Sequence, residues 1–563
     1  MSSLSQIRIL NITEDLGVGT DQVATVDQLS SVGNTIGAQA FVRETNRLYI
    51  WNGQGWYNIA LINTTPTWDS GGQPLSNYYL DADSPQTATT ITLAASDAEG
   101  LPISYTYVTG GSMDSIATVS QDSSVFTITP KTEVQVPDGG TGTITFRASD
   151  GVNILPQVSS FTLTFPVDWS SITEQSALKA SDAAASNNFG ESVAIAKNGN
   201  TAISGARLNT NPSLYEGAAY IYTLSGSSWS QQAKLVASDK HINQQFGSAV
   251  SLSEDGNTAI VGASLSDNLP QAAGSGAAYV FTRSGSTWSQ QAKLGASDGA
   301  DSYYFGCSVS ITDDGNTAIV GARLDGGTNY GAAYIFTRSG STWSQQTKLT
   351  ASDAATDDEF GWSVSISASD GNTAIVSSPK EDTGATSAGS AYIFTRSGST
   401  WSQQAKIQAS NRGSNDLFGY GINGVSISGD GDTVIVGAVN EDTNGTDAGA
   451  AYVFTRSGTT WSQQAMIKAS DAASSDKFGS AVSISEDGDT SVVGASNESG
   501  TGAAYIFTRS GTSWTQVNKI QASNAQSGDE FGSAISISNK SVIVGAYQED
   551  TTATNSGSAY IFG

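Results

Sequence analysis

The sequence predicts an all-β chain whose stretch from Trp169 to Gly563 is a seven-bladed β-propeller, and three observations carry that reading. The dipeptide Phe-Gly recurs at Phe189, Phe246, Phe305, Phe360, Phe418, Phe478 and Phe531, at intervals of 57, 59, 55, 58, 60 and 53 residues. Each unit divides by alternation and turn signals into four strand-like segments, the make-up of a propeller blade. The last unit stops one segment short, and a matching segment stands ahead of the first.

Residues 1–62 read as a small N-terminal β domain. Arg47 to Trp51 and Trp56 to Ile59 flank Asn52-Gly53-Gln54-Gly55, a hairpin signal. The segment LYIWNGQGWYNIA resembles hairpins in structural proteins of tailed phages, particularly those infecting marine cyanobacteria. That resemblance implies an anchor, with other virion proteins as partners of residues 1–62. The opening MSSLSQIRILNITEDLG lacks the basic and long apolar segments of a secretory leader. Residues 63–74 are expected as a linker. Residues 75–167 alternate with strand period, and their Ala-Ser-Asp segments at Asp97 and Asp150 resemble those of immunoglobulin- or cadherin-like β-sandwiches. Cadherin calcium requires ligands from a neighbouring domain, so Asp97 and Asp150 are expected as turn residues.

Within residues 168–563, strand A of each blade is the run after Phe-Gly, such as Phe246 to Leu252. An Asp-Gly-Asn turn follows, as at Asp255, Gly256 and Asn257. Strand B is Thr-Ala-Ile-Val-Gly-Ala, a continuous apolar run expected to be buried on both faces. Strand C is Gly-Ala-Ala-Tyr-Ile-Phe-Thr-Arg, and strand D is Trp-Ser-Gln-Gln-Ala-Lys-Leu. Trp229, Trp288, Trp343, Trp401, Trp461 and Trp514 occupy one repeat position, which favours packing over a binding platform. The final unit ends at strand C, Gly557 to Gly563. Trp169 to Lys179 matches strand D and is expected to complete blade 7, so that no blade edge is left open.

The sevenfold Phe-Gly with Val-Gly-Ala in strand B, as at Val261-Gly262-Ala263, resembles the FG-GAP repeat found in the head of integrin α subunits and in many bacterial and viral proteins. The resemblance implies a propeller and leaves function open. Members often carry a long Asp-rich calcium loop between strands A and B. Here the connection is only Glu-Asp-Gly-Asn-Thr or Asp-Asp-Gly-Asn-Thr, too few oxygens for a calcium shell of six to eight. No cofactor is therefore expected, with calcium left open although the usual A–B calcium loops are missing, and Asp255, Asp314 and Asp487 are read as turn residues.

Strand direction sorts the connections. The short A–B and C–D turns share one face, and the longer, variable B–C and D–A loops share the other, where recognition normally sits. Three B–C loops are acidic: Glu381-Asp382-Thr383, Glu441-Asp442-Thr443 and Glu549-Asp550-Thr551. Glu381, Asp382, Glu441, Asp442, Glu549 and Asp550 are the candidate ligand-binding residues, either as contacts to a partner, glycan or cation or as plain solvated loops. The D–A loops begin Ala-Ser-Asp or Ala-Ser-Asn, as at Asp182, Asp239 and Asn411, where local capping of a turn is expected.

Composition agrees with many short strands and a large core: 61 Gly, 11 Trp, 20 Tyr and 18 Phe, with only 14% charged residues. A formal charge of −27, from 25 basic and 52 acidic residues, disfavours nucleic acid and anionic membranes as partners. No stretch approaches the ~18 apolar residues that span a bilayer. One cysteine, Cys307, excludes an internal disulfide and is read as a packing residue. One histidine, His241, cannot supply a histidine metal cluster. Arg283, Arg338, Arg396, Arg456 and Arg509 share one repeat position, so symmetry spreads them around the rim, unlike the converging arginines of sialidase propellers.

No catalytic residue is assigned. The expectation is a non-enzymatic adhesion or structural protein of a tailed-phage virion, assembled in the host cytoplasm, with a homotrimer compatible with that role. Its propeller would meet host surface protein, glycan or a neighbouring virion protein. A purely bracing part of capsid or tail and a carbohydrate-active propeller enzyme are the alternatives.

Overall fold

The computed structural model describes residues 20–563 apart from 33–34, 37, 44, 46, 52, 61–63, 76, 82–87, 99, 132–140, 165–166, 211–214 and 267–273. The opening segment, residues 1–17, lies outside the described residues. The chain divides into two compact units, Met1–Pro166 and Val167–Gly563.

In the first unit, Thr20–Val23 pairs in parallel with Gln39–Val42, which continues antiparallel through Arg47–Trp51 to Trp56–Ala60. The expected hairpin is present. Gly53 supplies the positive φ (+98°) its turn needs, and Trp51 and Trp56 meet edge to face with centroids 5.8 Å apart. Two further sheets, of three and four strands, enclose one apolar core that includes Ile91, Phe126, Ile128, Phe146 and Phe161. Thr67–Trp68, inside the segment expected as linker, pairs with Ala95–Ser96, and the Trp68 ring packs on that core. Asp97 accepts from Leu101 N, and Asp150 accepts from Val152 N and Asn153 N, so both act as turn residues.

The second unit is seven four-stranded antiparallel sheets. Blade 1 is representative: A is Ser192–Ile195, B is Thr201–Ala206, C is Ala218–Ser225 and D is Ser228–Leu235. Strand B is buried along its whole length, as a strand covered on both faces must be. Strand A of every blade touches strand A of both neighbours, and blade 7 touches blade 1. The A strands therefore surround the axis as a closed ring.

The repeat motifs are explained by this crowding. Seven glycines at the start of strand C, from Gly217 to Gly557, sit at positive φ against the backbone of the next blade's Phe. At Gly557 (φ +78°) a Cβ would overlap the Phe189 carbonyl oxygen. The Phe rings fill the space behind: Phe189 lies 5.6 Å from Tyr220 and 6.0 Å from Tyr222, and the other blades repeat the triangle. The Trp rings are half-buried. Trp288 donates Nε1–H to Gln232 of the preceding blade at 2.8 Å, with the Arg283 guanidinium 5.5 Å over its ring.

Closure occurs as the offset predicts, with one correction. Glu174–Leu178 pairs antiparallel with Ser558–Phe562 and completes blade 7, and Thr173 and Gly563 exchange backbone hydrogen bonds. The residue standing where other blades have Trp is Ile172, buried in the core between blades 6 and 7. Trp169 lies three residues earlier and packs partly buried on the same core.

Candidate functional site

The six acidic residues singled out on the B–C loops occupy three separate blades and do not converge. Their glutamates turn inward. Glu381, Glu441 and Glu549 are 5%, 3% and 1% exposed. Glu381 accepts from Ser390 Oγ at 2.6 Å and from Thr383, and pairs with Lys406 at 2.9 Å. Glu441 accepts from Asn411 Nδ2 at 2.9 Å and pairs with Lys468 at 3.2 Å. Glu549 accepts from Ser558 Oγ at 2.9 Å and Asn524 Nδ2 at 3.0 Å. Asp382, Asp442 and Asp550 accept from the backbone N–H of Ser387, Asp447 and Asn555, each closing its own loop.

The D–A residues work across blades. Asp239 accepts from Tyr279 Oη at 2.9 Å and Lys293 Nζ at 2.7 Å, both on the following blade. Asp182, Asp298, Asp353 and Asp471 repeat the arrangement with Tyr220 and Lys234, Tyr334 and Lys348, Tyr392 and Lys406, and Tyr505 and Lys519. The lysine holds the Asp239 carboxyl below its usual range, and the tyrosine adds to this against the opposing effect of burial. Two blades depart together. Where the acid is Asn411 or Asn524, the lysine position holds Met466 or Ala177. At this partly exposed position the carboxylate is present only in the blades that carry the lysine. Asn411→Asp is therefore expected to cost about 1–3 kcal/mol, because it sets a second carboxylate against Glu441. Adding Met466→Lys should recover most of that loss in a double-mutant cycle read by urea denaturation.

The A–B turns behave as read. Asp255 accepts from Ser253 Oγ and Asn257 N, and Asp314 from Thr312 Oγ1 and Asn316 N. Among the described residues, no group of three or more His, Cys, Asp or Glu could hold a metal ion.

A different feature stands out at the axis, on the face of the B–C and D–A loops. The residue after Phe-Gly is Ser248, Cys307, Ser480 or Ser533 in four blades, but Glu191, Trp362 and Tyr420 in blades 1, 4 and 5. Trp362 and Tyr420 stack at 4.7 Å. Arg323 lies 4.0 Å over the Trp362 ring and 4.9 Å over Tyr304. Blade 5 also carries an insertion, Gly421-Ile422-Asn423, that sister repeats lack. It reaches over the axis. Ile422 packs against the core of blades 2 and 3, and its carbonyl accepts from Ser363 Oγ at 3.1 Å. Blade 4 answers by replacing the Gly-Ala that ends strand B with Ser377-Ser378, whose first Cβ occupies the space another blade's carbonyl would fill.

These changes leave a cavity of about 520 Å³ bounded by Trp362, Tyr420 and Ile422 on one side and by Glu191, Glu530 and Tyr547 on the other. Glu191 pairs with Arg207 at 2.8 Å, and burial pushes its carboxyl up to about 7. Glu530 accepts from Tyr547 Oη at 2.8 Å and Gln548 Nε2 at 2.6 Å. Ser533 Oγ lines the cavity without a hydrogen-bond partner. A second hollow of about 150 Å³ adjoins it and shares Arg207, Trp362 and Ile422. The signals for this site were in the sequence: two aromatics at a position that is Ser or Cys in four of its sisters, and a three-residue insertion beside one of them.

Seven such blades, with each A strand at the axis, define a closed β-propeller. The chain belongs to the FG-GAP repeat family, which matches residues 172–222, 229–281, 288–336, 343–394, 401–454, 461–507 and 514–562. Each match begins at the Trp position, and the first begins at Ile172, in agreement with the corrected alignment of the closing strand. A solved structure of a candidate 6-phosphogluconolactonase from Bacteroides uniformis is similar at a TM-score of 0.41 and 10% identity, over 70% of this chain and 95% of that one. No curated protein gives a significant match.

Proposed function

We propose that this protein is a non-enzymatic component of a tailed-phage virion, a fibre or surface appendage. In this reading residues 1–62 join it to other virion proteins, the two-sheet body acts as an immunoglobulin- or cadherin-like spacer, and the propeller is a binding head for host surface or a neighbouring virion protein. The observation that carries the binding role is the local loss of repetition. Elsewhere the loop-face side chains fasten one blade to the next. At the axis, aromatic rings, an insertion and buried charged groups replace small residues around a cavity, which is what recognition on a rigid frame requires. The aromatic hairpin at Arg47–Trp51 and Trp56–Ala60 supports the anchor. A purely bracing role is favoured by the loop glutamates, which spend their hydrogen bonds within the chain.

Mass spectrometry of purified particles tests the assignment: the protein is expected among the virion components, and its absence overturns the virion role. Labelled protein applied to host cells then separates the roles, since specific binding supports the head and none supports the brace.

A further inference from the structure

We infer that the axial cavity is a binding site for one neutral sugar unit, held with its apolar face on Tyr420, which Trp362 backs. The inference rests on the reading of the propeller as a binding head and gives that head its ligand chemistry.

The size and make-up of the cavity carry it. A volume of about 520 Å³ lies in the small-ligand range. One side offers ring faces and Ile422, the surface that the C–H face of a pyranose covers. The other side offers short polar groups at close spacing. Ser496 and Ser533 can donate or accept, Ser480 can accept while it donates to the Gly532 carbonyl, and the Glu191 and Glu530 carboxylates accept from hydroxyls. Vicinal hydroxyls, each both donor and acceptor, match such a wall better than any group of single polarity.

Charge argues for a neutral ligand. The ionisable groups lining the cavity are Glu191, Glu530, Arg207 and Lys477, two of each sign. The cations are engaged: Arg207 with Glu191 at 2.8 Å and Lys477 with Asp447 at 3.0 Å. An anionic sugar would have to break one of these pairs within a chain of formal charge −27. A cationic ligand would meet Arg207, with Arg323 beside it in the adjoining hollow. The guanidinium of Arg323 covers one face of Trp362 and Tyr420 packs on the other, so Trp362 fixes the Tyr420 ring that lines the cavity.

The seam is also built for it at a cost. Strand A has only three residues in blade 5, Val425–Ile427, and in blade 4, Val364–Ile366, the two blades that carry the aromatic residues, against four in blades 1 and 7 and seven in blades 2, 3 and 6. The insertion of blade 5 places Ile422 beside Tyr420 at the opening.

The test uses the full chain on an array of neutral and acidic glycans, with isothermal titration of the best neutral mono- and disaccharides. Binding of a neutral sugar is expected, weakened about tenfold or more by Trp362→Ala and by Tyr420→Ala, as for an aromatic anchor in a pocket. Trp362→Phe should retain part of it, and Trp288→Phe, on the rim, should leave it unchanged. Circular dichroism and melting of each variant identify any that fail to fold, and Trp362→Phe then decides. If the wild type binds glycans or cells and these variants bind equally well, or if only acidic glycans bind, the axial sugar site is overturned while the binding head stands. If the wild type binds neither glycans nor cells, both fall.

Discussion

Gly557→Ala is expected to open the ring at its seam and lower stability by about 3–5 kcal/mol, through backbone strain and steric overlap together. Gly557 begins strand C of blade 7 at φ +78°, and its Cα lies against the backbone of Phe189 at the start of blade 1. A methyl there would overlap the Phe189 carbonyl oxygen, and neither backbone can retreat, because each is held by its own sheet. Gly285→Ala is the control. Gly285 has φ +62° in the C–D turn of blade 2, with nothing within 4 Å of an added Cβ. It should cost only about 1 kcal/mol, the strain alone. Calorimetric melting of both variants checks this, and equal losses would show that the seam tolerates a side chain.

Lys197→Met is expected to be nearly as damaging, and its damage should depend on pH. On the A–B face, Lys197 lies among three acidic residues contributed by other blades. Its Nζ is 2.6 Å from Asp313 and 3.1 Å from Glu486, and Glu254 is close enough to feel both its charge and theirs. Burial, against the pull of Lys197, raises the Asp313 carboxyl above its ordinary value, and burial and the neighbouring carboxylates raise that of Glu254. Groups whose pKa is higher in the folded state contribute stability at low pH, and that contribution is lost as pH rises through the folded value. Without the lysine, the three carboxylates repel with no cation among them, and the folded values of Asp313 and Glu254 climb further. The variant should therefore lose about 3 kcal/mol near pH 8. It should lose much less near pH 4, where the acids take up protons. Urea denaturation at the two values reads the difference, and an equal loss at both would mean that Lys197 acts through packing alone.

Much of the propeller was legible because repetition averages over accidents. Seven copies of Phe-Gly, Val-Gly-Ala and Gly-Ala-Ala-Tyr reveal positions where backbone meets backbone, and the unmatched segment before the first copy reveals how the ring closes. Closure was misaligned at one point. Trp169 looks like the repeat Trp, yet the bulge at Glu174/Ser176 and the pairing of Thr173 with Gly563 bring Ile172 to that place. The Glu-Asp-Thr loops misled for a physical reason. A glutamate on a variable loop reads as solvated, and nothing local discloses that Ser390 and Lys406, from strands C and D, will fold over Glu381. The joint loss of the Asp and its Lys was visible in the sequence, since Asn411 and Asn524 coincide with Met466 and Ala177, but it gains meaning only once the D–A loop is seen to reach the next blade. The axial cavity was missed because the same averaging that exposes a repeat hides its exceptions. Trp362 and Tyr420 differ from their sisters at a single position, and only the ring geometry brings blades 1, 4, 5, 6 and 7 to one opening.

The propeller and its axial cavity both require a ring closed by residues far apart in sequence, and hydrogen exchange tests that closure most directly. Amides in Glu174–Leu178 and Ser558–Phe562 pair only with each other and with blade 7, so peptides covering them should exchange as slowly as Ala450–Ser457 and Thr460–Ile467 inside the ring. Slow exchange at both ends is the expected result. Exchange of residues 174–178 on the timescale of an unstructured chain, with blade 5 still protected, would contradict the closed propeller and the axial site built on it.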